Sequence, residues 1–301
     1  HSIALWRNET AVPNLVRLLD SESPQLRRVT AEALGRIGSP TSIPALLAAS
    51  SKPIDRTLEH SLIHALIEIA DPDATRAGLA SNNASPRRAA LIAIDQMPGD
   101  ELPASAVTPL LTSENELLRR TAEWIIGRHD DWGSELATYF EARIAAIDDE
   151  SDSSKLIEML GRFANDVAIQ HVIAGALESD NAESRKIALD AIGTANLGWF
   201  PDAWVRPLAK MLRPDSPDFE PKTVAVARRL PLAKGRTDDV IDRLVGIAGA
   251  RNLNAELRLN ALAAMAEWTL AVTVTIDGEE QECPYSDQRR ACEWVAGRVR
   301  R

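Results

Sequence analysis

The chain has 301 residues, 45% of them hydrophobic but only 4% aromatic, and a formal charge of −10. The acidic balance argues against a nucleic-acid partner, because phosphate binding needs massed Lys and Arg and the basic pairs here are spread along the chain. No apolar run reaches the roughly 18 residues from which a membrane-crossing helix is read.

A pattern returns about every thirty residues, as in LRRVTAEALGRIGSP (Leu26–Pro40), LEHSLIHALIEIADP (Leu58–Pro72), PRRAALIAIDQMPGD (Pro86–Asp100) and LLRRTAEWIIGRHDD (Leu117–Asp131). This period implies stacked helical hairpins, since one hairpin cannot bury its apolar face alone. One core position recurs as Leu34, Leu66, Ile94, Ile125, Leu160, Ile192, Ala227 and Leu262, at steps of 28 to 35 residues.

Each unit predicts a first helix A, a short turn and a second helix B. The first helix A is Ala11–Leu19, with Pro13 in its opening turn, where a missing N–H costs nothing. Helix B follows from Pro24 to Ile37 with an apolar stripe of Leu26, Val29, Ala33, Leu34 and Ile37, and Gly38-Ser39-Pro40 stops it. The same reading places B helices near Ile54–Ala70, Ser85–Met97, Glu114–Arg128, Ser151–Ala164, Ala182–Ala195, Pro221–Leu230 and Asn254–Thr269. A helices fall near Ser42–Ala49, Ala74–Ala80, Ala104–Leu111, Gly133–Ile147, Val167–Glu178, Pro201–Leu212 and Asp238–Ala250. The repeats thus occupy 1–269, and 270–301 is an atypical tail. In it Leu270–Gln281 alternates and turns at Asp277-Gly278, a hairpin signal, and Ser286–Arg301 returns to helix. The expected fold is all-α: a right-handed α-solenoid of about eight helical hairpins with a short irregular or β-hairpin-containing tail.

The chain opens at His1, already within half a hairpin, as a piece of a longer polypeptide would. Cys283 and Cys292, nine residues apart, admit a disulfide in an exported protein but lack the C-x-x-C spacing of a metal or haem site. No P-loop, nucleophile elbow or G-x-G-x-x-G occurs, so no catalytic or cofactor-binding residue is assigned.

The sharpest cluster is Arg56, Glu59, His60 and His64, whose spacings of three and four align them along one side of helix B. Imidazoles at i and i+4 can ligate a metal only with a further ligand, and neither HExxH nor an obvious third ligand is present, so no metal is assigned. Helix B should line the concave face. Arg56 and His60 are therefore expected to be accessible there, flanked by Arg28 and Arg88 of the adjacent units. The cluster would bind a protein, a peptide or a neighbouring domain through hydrogen bonds and charge. If Arg56, Glu59 and His60 were buried and mutually paired, it would be structural. Four further expectations concern packing. Arginines near the start of B helices (Arg27, Arg87, Arg119, Arg185, Arg258) should meet acidic or amide residues of the turns (Asp20, Asn82, Glu114, Asp180, Asn254) in a polar ladder. His129 should cap a helix C-terminus as imidazolium. The tryptophans should mostly pack helix seams. The dense stretch Trp199-Phe200-Pro201 through Trp204 is the aromatic candidate for anchoring a partner.

The units resemble HEAT-type repeats, the class also found in bilin lyases. A narrower likeness lies in Asp55-Arg56-Thr57-Leu58-Glu59-His60 with His64-Ala65-Leu66-Ile67-Glu68 and Gly78-Leu79, in Ala90–Met97, and in Trp124-Ile125-Ile126-Gly127-Arg128-His129 with Trp132-Gly133. These stretches resemble the helical-repeat segment of large exported proteins of planctomycetes and their relatives, and the likeness spans Ala11–Trp268. In that family the segment joins a dehydrogenase-like propeller to a cytochrome c domain with a C-x-x-C-H motif, and the His64 position is often aromatic, which a metal ligand would not tolerate. Neither propeller nor haem motif is present here, so the resemblance implies redox chemistry, and an exported or periplasmic location, only for a parent protein. The function expected of these residues is a non-catalytic scaffold or protein-interaction module linking domains of such a parent, with no cofactor and no nucleic acid. The alternative is a HEAT-like lyase of the bilin-lyase type with a concave pocket near Glu59 and His60.

Overall fold

The turn ahead of four of the B helices carries a serine two residues before an Asn or Ser, in the pairs Ser21/Ser23, Ser81/Asn83, Ser113/Asn115 and Ser179/Asn181. The first hydroxyl accepts the backbone N–H of the second residue at 3.1–3.2 Å. The second side chain then caps the helix, accepting from the N–H of Leu26, Ser85, Leu118 or Glu183. Donors that a helix start leaves orphaned are met locally, and the chain is steered into each helix by its own turn.

The computed structural model describes residues 7–99, 102–147, 153–215, 219, 221–232 and 235–265, and the backbone of 273–276 and 279–282. The chain divides into two compact units, His1–Asp130 and Asp131–Arg301. In the first, α1 (Val12–Leu18), α3 (Ile43–Ser50), α5 (Pro72–Thr75) and α7 (Ala104–Val107) are the A helices, and α2 (Pro24–Ile37), α4 (Arg56–Ile69), α6 (Ala84–Gln96) and α8 (Glu116–Ile126) the B helices. The B helices pack in series, α2 on α4, α4 on α6 and α6 on α8. In the second unit the A row is α9 (Gly133–Ala145), α11 (Val167–Leu177), α13 (Asp202–Met211) and α15 (Asp238–Gly249), and the B row is α10 (Ser153–Arg162), α12 (Ala182–Thr194), α14 (Lys222–Ala227) and α16 (Ala255–Ala264). Each row again stacks in chain order. Eight hairpins are thus present among the described residues, four per unit: stacked-hairpin, α-solenoid architecture. All eight positions of the counted register are buried, seven of them at 0% exposure and Leu262 at 7%.

Two A helices differ from expectation. Helix α5 tightens into a 3-10 turn at Arg76–Ala80 and α7 into another at Thr108–Thr112. Pro109 removes one of the donors a continuous α-helix needs. At Gly78 the backbone lies so close to its neighbours that a Cβ would stand 2.7 Å from Ala90 and 2.9 Å from Leu47. The stripe read on α2 is also only partly buried: Ala33, Leu34 and Ile37 face the core, but Leu26 and Val29 are exposed.

The division after Asp130 was not among the expectations, and the boundary expected at 269 falls outside the described residues. So do Trp6, Trp268, Trp294, both cysteines and the helix expected at Ser286–Arg301. In the tail, β1 (Thr273–Ile276) pairs antiparallel with β2 (Glu279–Glu282), Thr273 opposite Glu282 and Ile276 opposite Glu279.

Candidate functional site

Asp55 caps α4 by accepting the Leu58 N–H at 2.8 Å, which places Arg56 at the first helical position. From there the three-to-four spacing carries one face through Glu59, His60, Ile63, His64 and Ile67, and this face forms one wall of a groove of about 500 Å³ in the first unit. Arg88, Ile92 and Gln96 of α6 line its middle, and Leu117, Arg120, Thr121 and Trp124 of α8 its far side.

The structure brings most of the predicted cluster together. Arg56 and His60 are exposed, and Arg56 has no ion-pair partner among the described residues. Glu59 and Arg88 are both half-buried and form an ion pair between α4 and α6. The rings of His60 and His64 lie 6.2 Å apart, and His64 Nδ1 is 3.6 Å from a Glu68 carboxylate oxygen. Both histidines also border a smaller recess with Glu32, Arg36, Ser61 and Glu68. Among the described residues no three His, Cys, Asp or Glu side chains are grouped to hold a metal ion. Arg28 is a correction: it does not line the groove, so Arg88 and Arg120, not Arg28 and Arg88, accompany Arg56.

Several packing expectations are also corrected. Four of the arginines expected in the polar ladder donate to backbone carbonyls. Arg119 donates to Ser113 O (2.8 Å), Arg185 to Ser179 O (2.7 Å), Arg258 to Ala248 O (3.0 Å) and Arg27 to Ala49 O (3.2 Å). These carbonyls lie at or just beyond the ends of A helices, where the backbone is unsatisfied and the helix dipole favours a cation, so the guanidinium groups are engaged there. Asp20 meets Lys52 instead, at 2.5 Å, and that ammonium holds its carboxyl below the ordinary range. His129 reaches back from the end of α8 to Asp95 Oδ1 of α6 at 2.6 Å, beside Arg128 Nε at 3.1 Å from Oδ2.

The far wall of the groove is what sequence reasoning missed. Trp124 does not pack a seam: it is 45% exposed, with the Arg128 guanidinium 5.0 Å from its ring centroid, and Leu117 is 40% exposed. The available signal was the set 117, 120 and 124 on the face of α8 away from its buried Leu118, Thr121, Ala122 and Ile125. In the second unit Trp204 is buried, its Nε1 donating to Gln170 O, and Trp199 is exposed.

Residues 1–67 match the family profile of HEAT repeats. Repeats of this kind generally serve as protein-interaction scaffolds. The match covers the first two hairpins, including the α4 wall of the groove. A search of curated proteins finds no match. Among solved structures, an engineered protein known from a crystal structure is similar at 15% identity and a TM-score of 0.35, over 96% of this chain and 89% of that one.

Proposed function

We propose that the chain is a non-catalytic scaffold that docks a protein segment on the B-helix face of its first unit. The observation that carries this reading is the groove itself. It combines exposed apolar side chains, Leu117 and Trp124, with charged groups of which Arg56 is unengaged among the described residues. Exposed apolar surface rimmed by polar groups marks interaction sites. A lyase would need a free acid–base pair, whereas Glu59, the acid lining the groove, is held by Arg88. The reading needs no metal, haem or nucleic acid. The likeness to repeat segments of exported multidomain proteins supports a role in joining domains of a larger chain, the partner then being a neighbouring domain.

A random peptide library displayed on phage and panned against the full chain tests the docking surface. Enriched peptides should lose binding to the Trp124→Ala variant. If no peptide is enriched, or if those enriched ignore Trp124, the groove is not a docking surface.

A further inference from the structure

We propose that the groove takes a short extended segment of alternating acidic and apolar residues, lying across α4, α6 and α8. This rests on the docking reading and specifies the chemistry of the partner.

The first argument is charge. Three arginines, Arg56, Arg88 and Arg120, line the groove against one glutamate, Glu59; Arg88 is engaged by that glutamate and Arg120 by the exposed Glu116 of its own helix, which leaves Arg56 without an ion-pair partner among the described residues. The chain as a whole is strongly acidic, but residues 1–130 hold 13 basic and 16 acidic residues, so most of the acidic excess lies elsewhere. An anionic segment therefore meets local complementarity without the repulsion of the full −10, which in any case is screened beyond about 8 Å at physiological salt.

The second argument is order. Glu59 and Arg88, both near the starts of their helices, pair between α4 and α6, while Asp95 near the end of α6 meets Arg128 just beyond α8. The three helices thus run side by side in the same sense. Arg56, Arg88 and Arg120 lie in their N-terminal halves, and Ile67, Gln96 and Trp124 near their C-terminal ends. One edge of the groove carries the three arginines together with Leu117, the other Ile67, Gln96 and Trp124, with Ile63 and Ile92 between. An extended segment crossing the helices presents alternate side chains to opposite sides, so carboxylates on one side and apolar groups on the other satisfy both edges. With helix axes about 8–10 Å apart, three helices span about 20 Å, or about six extended residues.

The third argument is Arg56 itself. At the first position of α4 a cation opposes the helix dipole, which favours anions there. The residue is exposed and lacks an ion-pair partner among the described residues, so the fold gains little from it. A bound carboxylate would supply the missing charge.

The test uses the full chain and fluorescein-labelled heptapeptides at physiological salt, read by fluorescence anisotropy. The probe alternates Glu and Leu about a central Phe; one control replaces each Glu by Lys, another each apolar residue by Ser. The acidic–apolar probe should bind, with both controls weaker by about tenfold or more. Arg56→Glu and Trp124→Ala should each weaken the probe to a similar degree, while Arg206→Glu, the same charge change at an exposed position of α13, should not. Circular dichroism and an unchanged or higher melting temperature would show that Arg56→Glu is folded. Equal binding of the lysine control, or indifference to Arg56→Glu, overturns the acidic assignment. If that lysine peptide depends on Trp124, the docking reading survives. If no probe binds in a Trp124-dependent way, both readings fall.

Discussion

The Asp95 carboxylate has no exposed surface and accepts from both His129 and Arg128, tying the end of α6 to the end of α8. Asp95→Asn keeps the shape but weakens both contacts. Because Arg128 is half exposed, most of the loss falls on the more enclosed His129 contact, and the expected cost is about 1–3 kcal/mol. Urea titration should show a lower midpoint at unchanged slope, and an unaltered midpoint would mean that water replaces the contact freely. Ala70 is a residue-scale case of opposite sign. It ends α4 with φ +55, in the left-handed region where Gly38 ends α2 with φ +78. A Cβ is disfavoured there, so Ala70→Gly should stabilise by about 1 kcal/mol, read as a rise in melting temperature. A fall would show that some other contact of the Ala70 methyl outweighs the backbone strain.

Helices α2 and α4 approach closely because Gly35 faces Ala65: a Cβ on Gly35 would stand 2.9 Å from the Ala65 Cα and 2.5 Å from a Glu68 oxygen. Alanine is the better helix former by roughly 0.5–1 kcal/mol, yet a backbone clash cannot be relieved without moving a helix. Gly35→Ala should therefore destabilise by about 1–3 kcal/mol. Gly175 on α11 meets nothing within 4 Å, so Gly175→Ala should gain about 0.5–1 kcal/mol. Opposite signs in matched denaturation curves are the expected result; a shared sign would mean that propensity alone governs both sites. The contrast also marks what was legible in these elements. Helix ends such as the start at Pro24 and the stop at Gly38 were readable because these residues act on adjacent backbone. The close approach at Gly35 and the 3-10 turn at Gly78 depend on residues of other helices, which lie far along the chain.

At the scale of the whole molecule, stability in stacked repeats is a sum of unit and neighbour terms, so damage should stay local. Leu34→Ala empties a fully buried position of the first unit and should cost about 2–5 kcal/mol. Hydrogen exchange followed by mass spectrometry should quicken across residues 7–130 far more than across 131–265. Uniform acceleration would refute the nearest-neighbour description. The thirty-residue period by itself determined the helices, their pairing and the register of buried residues from Leu34 to Leu262, because each rests on local periodicity and capping. It also pointed to Arg56, Glu59, His60 and His64 as one helix face. Only the tertiary structure decided the rest of the groove: that Arg88 would engage Glu59, that Arg28 would stand outside, and that Leu117 and Trp124 would complete the far wall. Those outcomes depend on how three helices about thirty residues apart are rotated and spaced against each other. The period of one helix specifies its own faces but not which neighbouring face each will meet.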